Sequence, residues 1–583
     1  MTSGPVGGTA PGKRWTAFGY LYAVGLLAIA VYGYFATGYV PVPTPAAEVF
    51  ATVRPAPGSA GAAAFSGSRA FEHTTVGLYR TVDFAAPVPP SQLLGRASLF
   101  DVEAVASFTN TASGESFVTE GYYDGGADGN AIYRFRFTPT SLGTWSLLTT
   151  SAVPALDGLS GTVDAVPSED PHLYGFLTTA AGRFVAPVAG TGEQVGIAYQ
   201  VFMHGGSPLE DLGSLPTGDE ELRSALADLL DEAASYGFPA IFVGVWHQWF
   251  ELGTSRSDRH FSVDPDPATF RVLEILCNMA HQRGMFVHIW LWGDEQRSWS
   301  PRGIPADADV PGDSGGVNGA ADRRLQRYLA ARLGPLPNWV LGYGFDLYEW
   351  ADEAEVLAWA EYLQARLARP HLLTAIEQRS SSRTVFDLGS ATLGLVSDAA
   401  TAEAALESGG EVSAALYAAA VAALEAAGGK PVIFENRFLF QRRDVWTMDA
   451  TRRALWAVTL AGGVAAIWGV DWDLQLPFSH PEQLLTYQEF WSGRLRGDMV
   501  SSVREDGSLS LIDSANGHGV IYAQATDVIS LPALPPGVTA WAVDTRASYQ
   551  RLPIEATLDG PEPGSWRAPH VSDWAVALEA APR

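Results

Sequence analysis

The segment DRRLQRYLAARLGPLPNWVLGYGFDLYEW, residues 322–350, decides the fold class of this chain. Its first half carries apolar residues at helical spacing and ends at Gly334. Its second half is a short, almost wholly apolar run that ends at an acidic residue, Asp346. A helix that returns through a glycine into a buried strand is the repeating unit of a parallel α/β sheet.

The same unit recurs on both sides of this segment, from residue 172 to residue 490. Near-continuous apolar runs alternate there with helical patterns. Eight such strands predict an α/β fold in which a (β/α)8 TIM barrel is the central domain. The predicted strands are residues 197–204, 238–247, 284–294, 338–346, 371–378, 392–398, 430–437 and 462–471.

Two β-rich segments flank the predicted barrel. Residues 70–168 alternate apolar and polar side chains, as in the run IYRFRF at 132–137, with Gly- and Asn-rich turns between the runs. Residues 495–583 show similar short runs separated by Pro and Gly. Closely spaced strands of this kind predict an N-terminal and a C-terminal β-sandwich domain.

The N-terminal region predicts a membrane anchor. Residues 15–40 contain no charged residue, and Lys13 and Arg14 precede them directly. This is long enough for one transmembrane helix, and the basic pair predicts a cytoplasmic N-terminus with the rest of the chain outside the cytoplasm. A cleaved signal peptide is the alternative, although its apolar region would be shorter. Residues 41–69, rich in Pro, Ala and Gly, are predicted to be a linker.

Composition excludes several classes of partner and site. The 583 residues carry a net charge of −27, which argues against a nucleic-acid partner. The single cysteine, Cys277, excludes an intramolecular disulfide and a zinc site built from cysteines. The lipid bilayer, through residues 15–40, is a predicted partner in addition to the substrate.

The ends of the predicted strands point to a carbohydrate substrate. In a TIM barrel the chemistry lies at the carboxyl ends of the strands, and here these ends are rich in Trp, His and carboxylates. Aromatic rings stack on sugars and carboxylates bind hydroxyl groups, so the expected partner is an oligo- or polysaccharide, although Trp290, Trp292 and Trp468 could instead fill the core. The predicted substrate-binding residues from these ends are Trp246, His247, Trp249, His288, Trp290, Trp292, Asp294, Arg437 and Trp468.

Two carboxylates are the leading catalytic candidates. Glycoside hydrolysis uses a pair of carboxyl groups on either side of the scissile bond. Glu435 on the seventh strand and Asp346 on the fourth are predicted to face each other across the lumen, and Glu349 is the alternative to Asp346. Gly342 and Gly344 are expected to leave space beneath Asp346. A structural ion pair with nearby arginines is the other interpretation of Glu435.

Histidines in three successive strands raise the alternative of a metal-dependent hydrolase. His204, His247 and His288 occupy these positions, but the sequence has no HxH or HExxH spacing around them. We therefore predict no metal and no other cofactor.

The N-terminal β-rich segment resembles a known module. The stretch EGYYDGGADGNAIYRFRFTPTSLGTWSLLTTSAVPALDGLSGTVDA, residues 120–165, is similar to the β-sandwich that precedes glycoside hydrolase barrels. The stretch GVTAWAVDTRASYQ, residues 537–550, resembles the small C-terminal sandwich of the same hydrolases. Both modules are predicted to be scaffolds for the barrel, and an ancillary glycan-binding sandwich is the alternative for the C-terminal one. The positions that match the N-terminal module are Gly121, Tyr123, Asp124, Gly125, Arg136, Phe137, Pro139, Gly143, Trp145 and Gly161.

The barrel region resembles glycoside hydrolases related to apiosidases, within the large clan of retaining barrel enzymes. Lys430, Pro431, Val432 and Glu435 match the strand-seven motif of that family. The family's acidic residue on strand four is displaced here by two positions, to Asp346, which leaves the choice between Asp346 and Glu349 open. The other matching positions are Arg332, Gly334, Pro337, Asn338, Leu341, Gly342, Arg452, Arg453, Ala454, Trp456, Gly462 and Gly463.

The resemblance implies a retaining glycoside hydrolase that needs no cofactor. In it Glu435 is the nucleophile, Asp346 or Glu349 is the acid/base, and Asn338 joins the substrate-binding residues. The alternative from another class is a catalytically silent glycan-binding or structural protein of the cell surface on the same scaffold.

Overall fold

The computed structural model describes most of the chain after residue 47. Within it, side chains are not described at residues 204, 348, 377–379, 382–384, 392–396, 426, 435–438, 465–470 and 580, which include His204, Glu435, Arg437 and Trp468. The described ranges are residues 48–54, 70–180, 182–204, 207–254, 260–293, 299–345, 347–375, 377–379, 382–384, 392–396, 404–405, 408, 411–427, 430–438, 447–463, 465–470, 480–496, 498–513, 515–533, 536–554 and 564–580.

Eight parallel strands form the centre of the mixed α/β fold; seven lie within predicted segments, and β21 extends one residue beyond its segment, to Phe438. They close on themselves in the order β13-β14-β15-β16-β17-β20-β21-β22. The register places Trp290 beside Gly342 and Ile433 beside Ala465. The bounds are β13 Tyr199–His204, β14 Ala240–Gly244, β15 Phe286–Trp292, β16 Trp339–Gly344, β17 Leu372–Ala375, β20 Thr392–Val396, β21 Val432–Phe438 and β22 Ala465–Val470. A two-stranded sheet of β18 Glu377–Arg379 and β19 Ser382–Thr384 follows β17.

Helices follow most of the barrel strands, and their ends carry recognisable capping residues. The helix at Glu353 begins with a capping box in which the Asp352 side chain accepts from the Glu355 backbone and Glu355 bonds back. The helix that precedes β22 ends at Gly462, whose φ of 109° suits a residue without a side chain. The described helices are α1 Asp219–Ser235, α2 Pro267–Gln282, α3 Ala320–Arg332, α4 Glu353–Gln364, α5 Val412–Ala426, α6 Met448–Ala461 and α7 Pro481–Trp491.

The barrel interior is filled by large side chains and is closed at its amino end by a small sheet. Strands β10 Thr178–Ala180, β11 Arg183–Pro187 and β12 Gln194–Gly196 form this sheet, which the sequence analysis did not predict. Its Phe184 packs with the interior cluster. Its Arg183 donates to the carbonyl of Gly462, just before β22. The interior cluster includes Tyr199, Val201, Phe242, Phe286, Trp290, Val340 and Ile433.

The N-terminal β-rich segment folds into two sheets around one apolar core. In that core Phe108 of one sheet stacks on Phe137 of the other, with ring centroids 4.2 Å apart. The first sheet has the order β1-β3-β7-β6 and the second β2-β9-β8-β4-β5. The strands are β1 Ala51–Val53, β2 Thr74–Gly77, β3 Val82–Val88, β4 Ala104–Asn110, β5 Ser116–Glu120, β6 Tyr122–Ala127, β7 Asn130–Phe137, β8 Gly143–Ser151 and β9 Ser160–Val166.

Strand β1 lies within the segment predicted to be a linker. Ala51 pairs with Val82 in parallel register, and Phe50 is buried beneath the guanidinium of Arg136, 4.5 Å from its ring centroid. The short apolar alternation around Phe50 is diluted by the surrounding Pro and Ala, which is why composition alone assigned this part of residues 41–69 to a linker.

A buried ionic network joins the N-terminal sheets to the barrel helices. Arg136 of β7 donates to Asp83 of β3 at 2.7 Å and to Glu274 of α2 at 2.7 Å. Arg332 of α3 binds both oxygens of Glu274, at 2.7 and 2.8 Å, and lies 3.2 Å from Asp124. Burial opposes ionisation of Glu274, but the two guanidinium groups outweigh it and lower its pKa to about 2. Arg136, Asp124 and Arg332, three positions of the family motifs, therefore hold the two parts of the chain together.

A second network fastens the C-terminal sheet to the barrel. Asp573 accepts from Arg452 and, at 2.7 Å, from Arg453, both on α6. Trp456 of the same helix stacks on Tyr522, with centroids 5.2 Å apart and an interplanar angle of 8°. The six strands are ordered β23-β24-β25-β28-β26-β27. Their bounds are β23 Val500–Val503, β24 Leu509–Ile512, β25 Gly519–Leu531, β26 Val538–Asp544, β27 Leu552–Pro553 and β28 Gly564–Ala580.

The predicted transmembrane helix, residues 15–40, lies outside the described residues. Among the helices that the structure does describe, none combines the length and the apolar character that crossing a bilayer requires.

Candidate functional site

The carboxyl ends of the barrel strands form one face of the molecule, as the parallel order of the strands requires. Strand β14 leads into a helical turn at Trp246–Trp249, and strand β16 leads into another at Leu347–Glu349. Strand β15 ends at Trp292 between them. Three neighbouring strands thus deliver aromatic and acidic residues to the same face, which we call the barrel mouth.

Four aromatic rings lie in a row at this mouth, two stacked pairs joined by a contact tilted by 38°, and we call this row the aromatic column. Trp290 lies parallel to Phe345, with centroids 4.3 Å apart and an interplanar angle of 7°. Phe345 is 5.7 Å from Trp246, and Trp246 is 5.6 Å from Trp299 at an angle of 25°. Trp290 and Trp246 are buried, whereas Phe345 and Trp299 remain partly exposed.

Glycines provide the space that the column occupies. A Cβ atom on Gly342 would lie 2.8 Å from Cδ2 of Trp290, and one on Gly293 would lie 2.7 Å from Cβ of Trp299. A Cβ on Gly244 would overlap the indole of Trp246. Trp246 itself has a φ of 57°, which is unusual for a bulky residue, and its Nε1 donates to the carbonyl of Glu210 at 3.0 Å.

The room above Gly342 and Gly344 is therefore not left for Asp346, as the sequence analysis expected. Trp290 fills the space over Gly342, and a Cβ on Gly344 would lie 2.7 Å from Cζ2 of Trp350. Asp346 lies outside the described residues. The glycines in β16 are explained by the two indoles that pack against them.

The turn that carries Glu349 is held from two sides. The indole of Trp350 donates from Nε1 to the carbonyl of Phe345 at 3.1 Å, which closes the turn. Arg302, from the loop after β15, donates from Nε to the carbonyl of Trp350 at 2.6 Å and from Nη2 to Glu355 at 2.7 Å. Glu349 is partly buried at this position, so one of the two candidate acids has a fixed backbone at the mouth.

Strand β21 is irregular at Glu435, the predicted nucleophile. Phe434 pairs with Ala466, but Phe438 pairs with Trp468, so two extra residues of β21 are accommodated between these pairs, at Glu435–Arg437. Irregularities of this kind re-aim side chains and are frequent beside active sites. Three strand-to-strand steps separate β21 from β16 around the barrel. The side chains of Glu435, Arg437 and Trp468 are not described, and Asp294 also lies outside the described residues.

Two of the predicted sugar-binding tryptophans pack elsewhere. Trp249 is buried against Phe270 of helix α2, with centroids 5.2 Å apart, and donates to the carbonyl of Leu291 at 3.0 Å. Trp292 is fully buried and has Phe261 as a ring neighbour at 6.5 Å. Both rings join the outer core between strands and helices. Trp249 lies in the turn after β14, which rotates its side chain away from the face that strict alternation predicts, whereas Trp292 is the last residue of β15 itself.

Asn338 lies at the opposite end of the barrel from the mouth. It directly precedes β16 and donates from Nδ2 to the carbonyls of Cys277 and Met285, at 2.9 and 3.0 Å. These contacts tie the start of β16 to helix α2 and to the start of β15. The observed contacts of Asn338 are structural.

Three histidines were considered as ligands of a metal-dependent hydrolase. The two whose side chains are described, His247 and His288, are both buried. His288 shares a 3.1 Å hydrogen bond between Nδ1 and the hydroxyl of Tyr199, the first residue of β13, and burial lowers its pKa to about 3. It is therefore a neutral group in the lower half of the barrel. His247 is fully buried in the turn after β14. Within the described ranges no three His, Cys, Asp or Glu residues are grouped as a metal ion would require.

The sequence analysis missed Phe345 and Trp299, the two partly exposed rings of the column. Phe345 directly precedes Asp346, and Trp299 returns to the barrel through a hydrogen bond of 3.0 Å from the Gly293 amide to the Trp299 carbonyl. In the sequence, Phe345 could have been noticed as an aromatic residue directly before a candidate acid. Trp299 could have been noticed as a tryptophan in the loop that begins at Gly293, at the end of β15.

Comparison with known proteins supports a glycoside hydrolase-like fold. Residues 98–152, which include strands β4 to β8, match a family described as "Domain of unknown function (DUF5060)". Comparison with curated protein sequences gives no match. Among solved structures, a candidate glycoside hydrolase from Bacteroides vulgatus has a TM-score of 0.59 at 15% identity, with 87% of this chain and 99% of that chain covered. A family 5 glycoside hydrolase from Bacteroides vulgatus has a TM-score of 0.47 at 12% identity, with 72% and 94% covered. At 15% identity the likeness to the first structure extends to the fold alone.

Proposed function

We propose that this chain is a glycoside hydrolase that cleaves an oligo- or polysaccharide at the barrel mouth. The observation that carries the proposal is the fixed turn at Leu347–Glu349 beside the aromatic column, three strands away from the irregular segment of β21 that contains Glu435. Aromatic rings next to carboxylates provide both the apolar surface and the acid–base groups that sugars require. The glycoside hydrolase-like fold supports the same function.

The proposed reaction retains the configuration of the anomeric carbon. Asp346 or Glu349 protonates the leaving oxygen while the carboxylate of Glu435 attacks the anomeric carbon and forms a glycosyl ester. The same acid, now deprotonated, then takes a proton from water as the water cleaves that ester. The proposal requires the carboxyl groups to lie about 5–5.5 Å apart. It also requires Glu435 to share the lumen side of β21 with Ile433, a residue of the interior cluster.

Hydrolysis of a glycoside panel tests this function. The panel comprises 4-nitrophenyl glycosides of glucose, galactose, mannose, xylose and arabinose in both anomeric forms, together with cell-envelope polysaccharides. We expect release of 4-nitrophenol from at least one glycoside, and a loss of at least about a thousandfold in kcat for Glu435→Gln. Glu425→Gln, on the exposed surface of α5, is the matched control and should retain full activity. Glycan binding without hydrolysis by the wild type would favour the silent glycan-binding alternative.

We also propose that residues 15–40 anchor the chain in a membrane and that residues 70–583 lie outside the cytoplasm. The charge-free run behind Lys13 and Arg14 supports this topology. Protease treatment of intact cells should release the folded part of the chain. A fragment that is fully protected until the cells are lysed would contradict the topology.

A further inference from the structure

A chain of hydrogen bonds, which we call the Asp322 relay, leads from a buried carboxyl group to the turn after β16. Asp322, in the first turn of α3, accepts at Oδ2 from the amide of Asn318 at 2.7 Å. The Asn318 side chain donates from Nδ2 to the carbonyl of Glu355 at 2.9 Å. The Glu355 carboxylate binds Arg302 at 2.7 Å, and Arg302 holds the carbonyl of Trp350. The relay therefore joins the start of α3 and the loop after β15 to the turn that ends at the barrel mouth.

The first member of the relay is buried among polar atoms that lack partners. Asp322 is 1% exposed, and Tyr343 of β16, beside it, is 0% exposed. Within the described ranges, Oδ1 of Asp322, Oδ1 of Asn318 and the hydroxyl of Tyr343 are buried and make no hydrogen bond of normal geometry. An ionised carboxylate offers only acceptors to these atoms, whereas a neutral carboxyl group also offers one donor. The site therefore suits the neutral form of Asp322 better than the ionised form.

The surrounding charges do not compensate an ionised Asp322. The guanidinium of Arg323 is the nearest cation to act on it, but Arg323 donates to Gln326 and to the carbonyl of Ala358. Burial outweighs the effects of Arg323, Gln326 and the Asn318 amide, and it raises the pKa of Asp322 to about 6. The titratable and charged groups of the elements packed around this position are Arg323 of α3, Tyr343 of β16, Glu355 of α4, and Arg302 and Asp313 of the loop after β15.

Ionisation of Asp322 favours local opening of the segment that buries it. A carboxyl group that becomes exposed regains its ordinary pKa of 3.8. The equilibrium constant for opening should therefore grow more than about tenfold between pH 4.5 and pH 8. Asn318 is the first link affected, since its amide bonds Asp322 and its side chain bonds Glu355. Asn318 also has a left-handed φ of 59°, a conformation that the intact turn before α3 enforces.

We propose that Asp322 is a positioning residue: its neutral carboxyl group holds the loop after β15 against the turn that carries Glu349, and its ionisation loosens this attachment as the pH rises. The consequence for catalysis rests on the proposed glycoside hydrolase function, because Glu349 is one of the two candidate acids. Tyr343 provides a second connection, since its ring lies 5.3 Å from that of Trp350. The candidate acid is therefore held best in mildly acidic solution.

Hydrogen exchange tests the attachment without reference to activity. Protection factors of peptides that cover residues 315–322 and 347–355, corrected for the intrinsic pH dependence of exchange, are measured at pH 4.5 and pH 8. The wild type should lose protection at pH 8 by more than about tenfold in the first peptide. Asp322→Asn, which mimics the neutral acid, should keep its protection. Asp309→Asn, at an exposed position of the same loop, is the matched control and should behave like the wild type.

Steady-state kinetics on the best substrate of the glycoside panel test the connection to catalysis. The ratio of kcat at pH 8 to kcat at pH 4.5 should be at least about threefold higher in Asp322→Asn than in the wild type, because a misplaced acid lowers kcat. Ionisation of the candidate acid itself contributes equally to both ratios. In an Arg302→Gln background, where the relay is already broken, Asp322→Asn should no longer change the ratio.

The outcomes separate this inference from the proposed function. Equal loss of protection in the wild type and Asp322→Asn would overturn the inference whether or not the protein hydrolyses glycosides. If protection differs but the kcat ratios of an active enzyme agree, the connection to the site is wrong and the hydrolase function stands. If no member of the panel is hydrolysed, the proposed function and the catalytic consequence fail together, and hydrogen exchange alone decides whether Asp322 controls the loop.

Discussion

The guanidinium of Arg136 lies 2.7 Å from the carboxylate of Glu274. This contact crosses from the N-terminal sheets to helix α2 of the barrel, and both side chains are almost fully buried. Arg332 binds the same carboxylate from helix α3. One glutamate therefore binds two buried cations at the boundary between two parts of the chain, and Asp83 and Asp124 supply the other negative charges.

The first prediction is that Glu274→Gln destabilises this boundary strongly. The substitution leaves Arg136 and Arg332 buried with one negative charge fewer, which typically costs about 3–5 kcal/mol in the free energy of unfolding. Urea unfolding followed by circular dichroism at pH 7 measures it. Glu353→Gln, at an exposed position of α4, is the control and should change stability by less than about 0.5 kcal/mol. Equal stability of the two variants would show that the network does not hold the boundary.

We expect the stabilising contribution of the Glu274 carboxylate to be lost in acid. Because the folded pKa of Glu274 is lowered to about 2 from an ordinary value of 4.5, its contribution is complete above pH 4.5 and disappears as the pH falls toward 2. The difference in unfolding free energy between wild type and Glu274→Gln should therefore shrink between pH 5 and pH 3. A difference that stays constant over this range would contradict the assignment.

We expect the contribution of Asp322 to the free energy of unfolding to change with pH in the direction opposite to that of Glu274. Burial raises its pKa from 3.8 to about 6, although its carboxylate accepts a 2.7 Å hydrogen bond from the Asn318 amide. Its stabilising contribution is complete below about pH 4 and is lost as the pH rises through about 6. Asp322→Asn should stabilise the chain by about 1–3 kcal/mol at pH 8 and have no effect at pH 4. Thermal unfolding at both pH values, with exposed Asp309→Asn as the control, measures this. If Asp322→Asn destabilises the chain at pH 8, the raised pKa of Asp322 is refuted.

Gly342→Ala tests the seating of the aromatic column. The new methyl group would lie 2.8 Å from the Trp290 indole, and the stack on Phe345 restricts how far the indole can move. We expect a cost of about 1–3 kcal/mol and a changed near-ultraviolet circular dichroism spectrum. Gly253→Ala, where no atom lies within 4 Å of the added carbon, is the control. An unchanged spectrum and unchanged stability would mean that the column adapts freely.

Arg302→Gln tests whether the loop after β15 positions the candidate acids. Arg302 binds the carbonyl of Trp350 and the carboxylate of Glu355, so its loss should lower kcat and shift the alkaline limb of the pH profile, which the ionisation of the candidate acid sets. The cost in stability should stay below about 1 kcal/mol, because the pair is partly exposed. Arg283→Gln is closely matched, since Arg283 binds the Met279 carbonyl and Asp231 away from the mouth. Identical kinetics in both variants would exclude a positioning role.

The periodicity of the sequence predicted the positions of the strands better than it predicted which side chains face the barrel mouth. Each of the eight predicted segments overlaps a barrel strand, because apolar runs bounded by glycine-ended helices leave few other structures. The alternation of inward and outward side chains does not continue past the strand ends. In the turn after β14, Trp249 packs against helix α2 and Trp246 has a left-handed backbone conformation. Strand β1 and the sheet at the amino end of the barrel were too short to stand out from their surroundings.

The distinction between supporting and exposed aromatics could not be predicted from the sequence. Trp290 and Trp299 are chemically alike, and their burial depends on which glycines face them across neighbouring strands. That information becomes available only when the register Trp290–Gly342 is known.

Covalent trapping tests the central claim, that Glu435 is the nucleophile of a retaining glycoside hydrolase. The protein is incubated with the 2-deoxy-2-fluoro glycosyl fluoride of the best panel sugar, digested, and analysed by tandem mass spectrometry. The proposal predicts one fluoroglycosyl unit attached to Glu435 and inactivation in proportion to the labelling. Hydrolysis of the parent glycoside with inversion at the anomeric carbon, or a label on a residue other than Glu435, would contradict it.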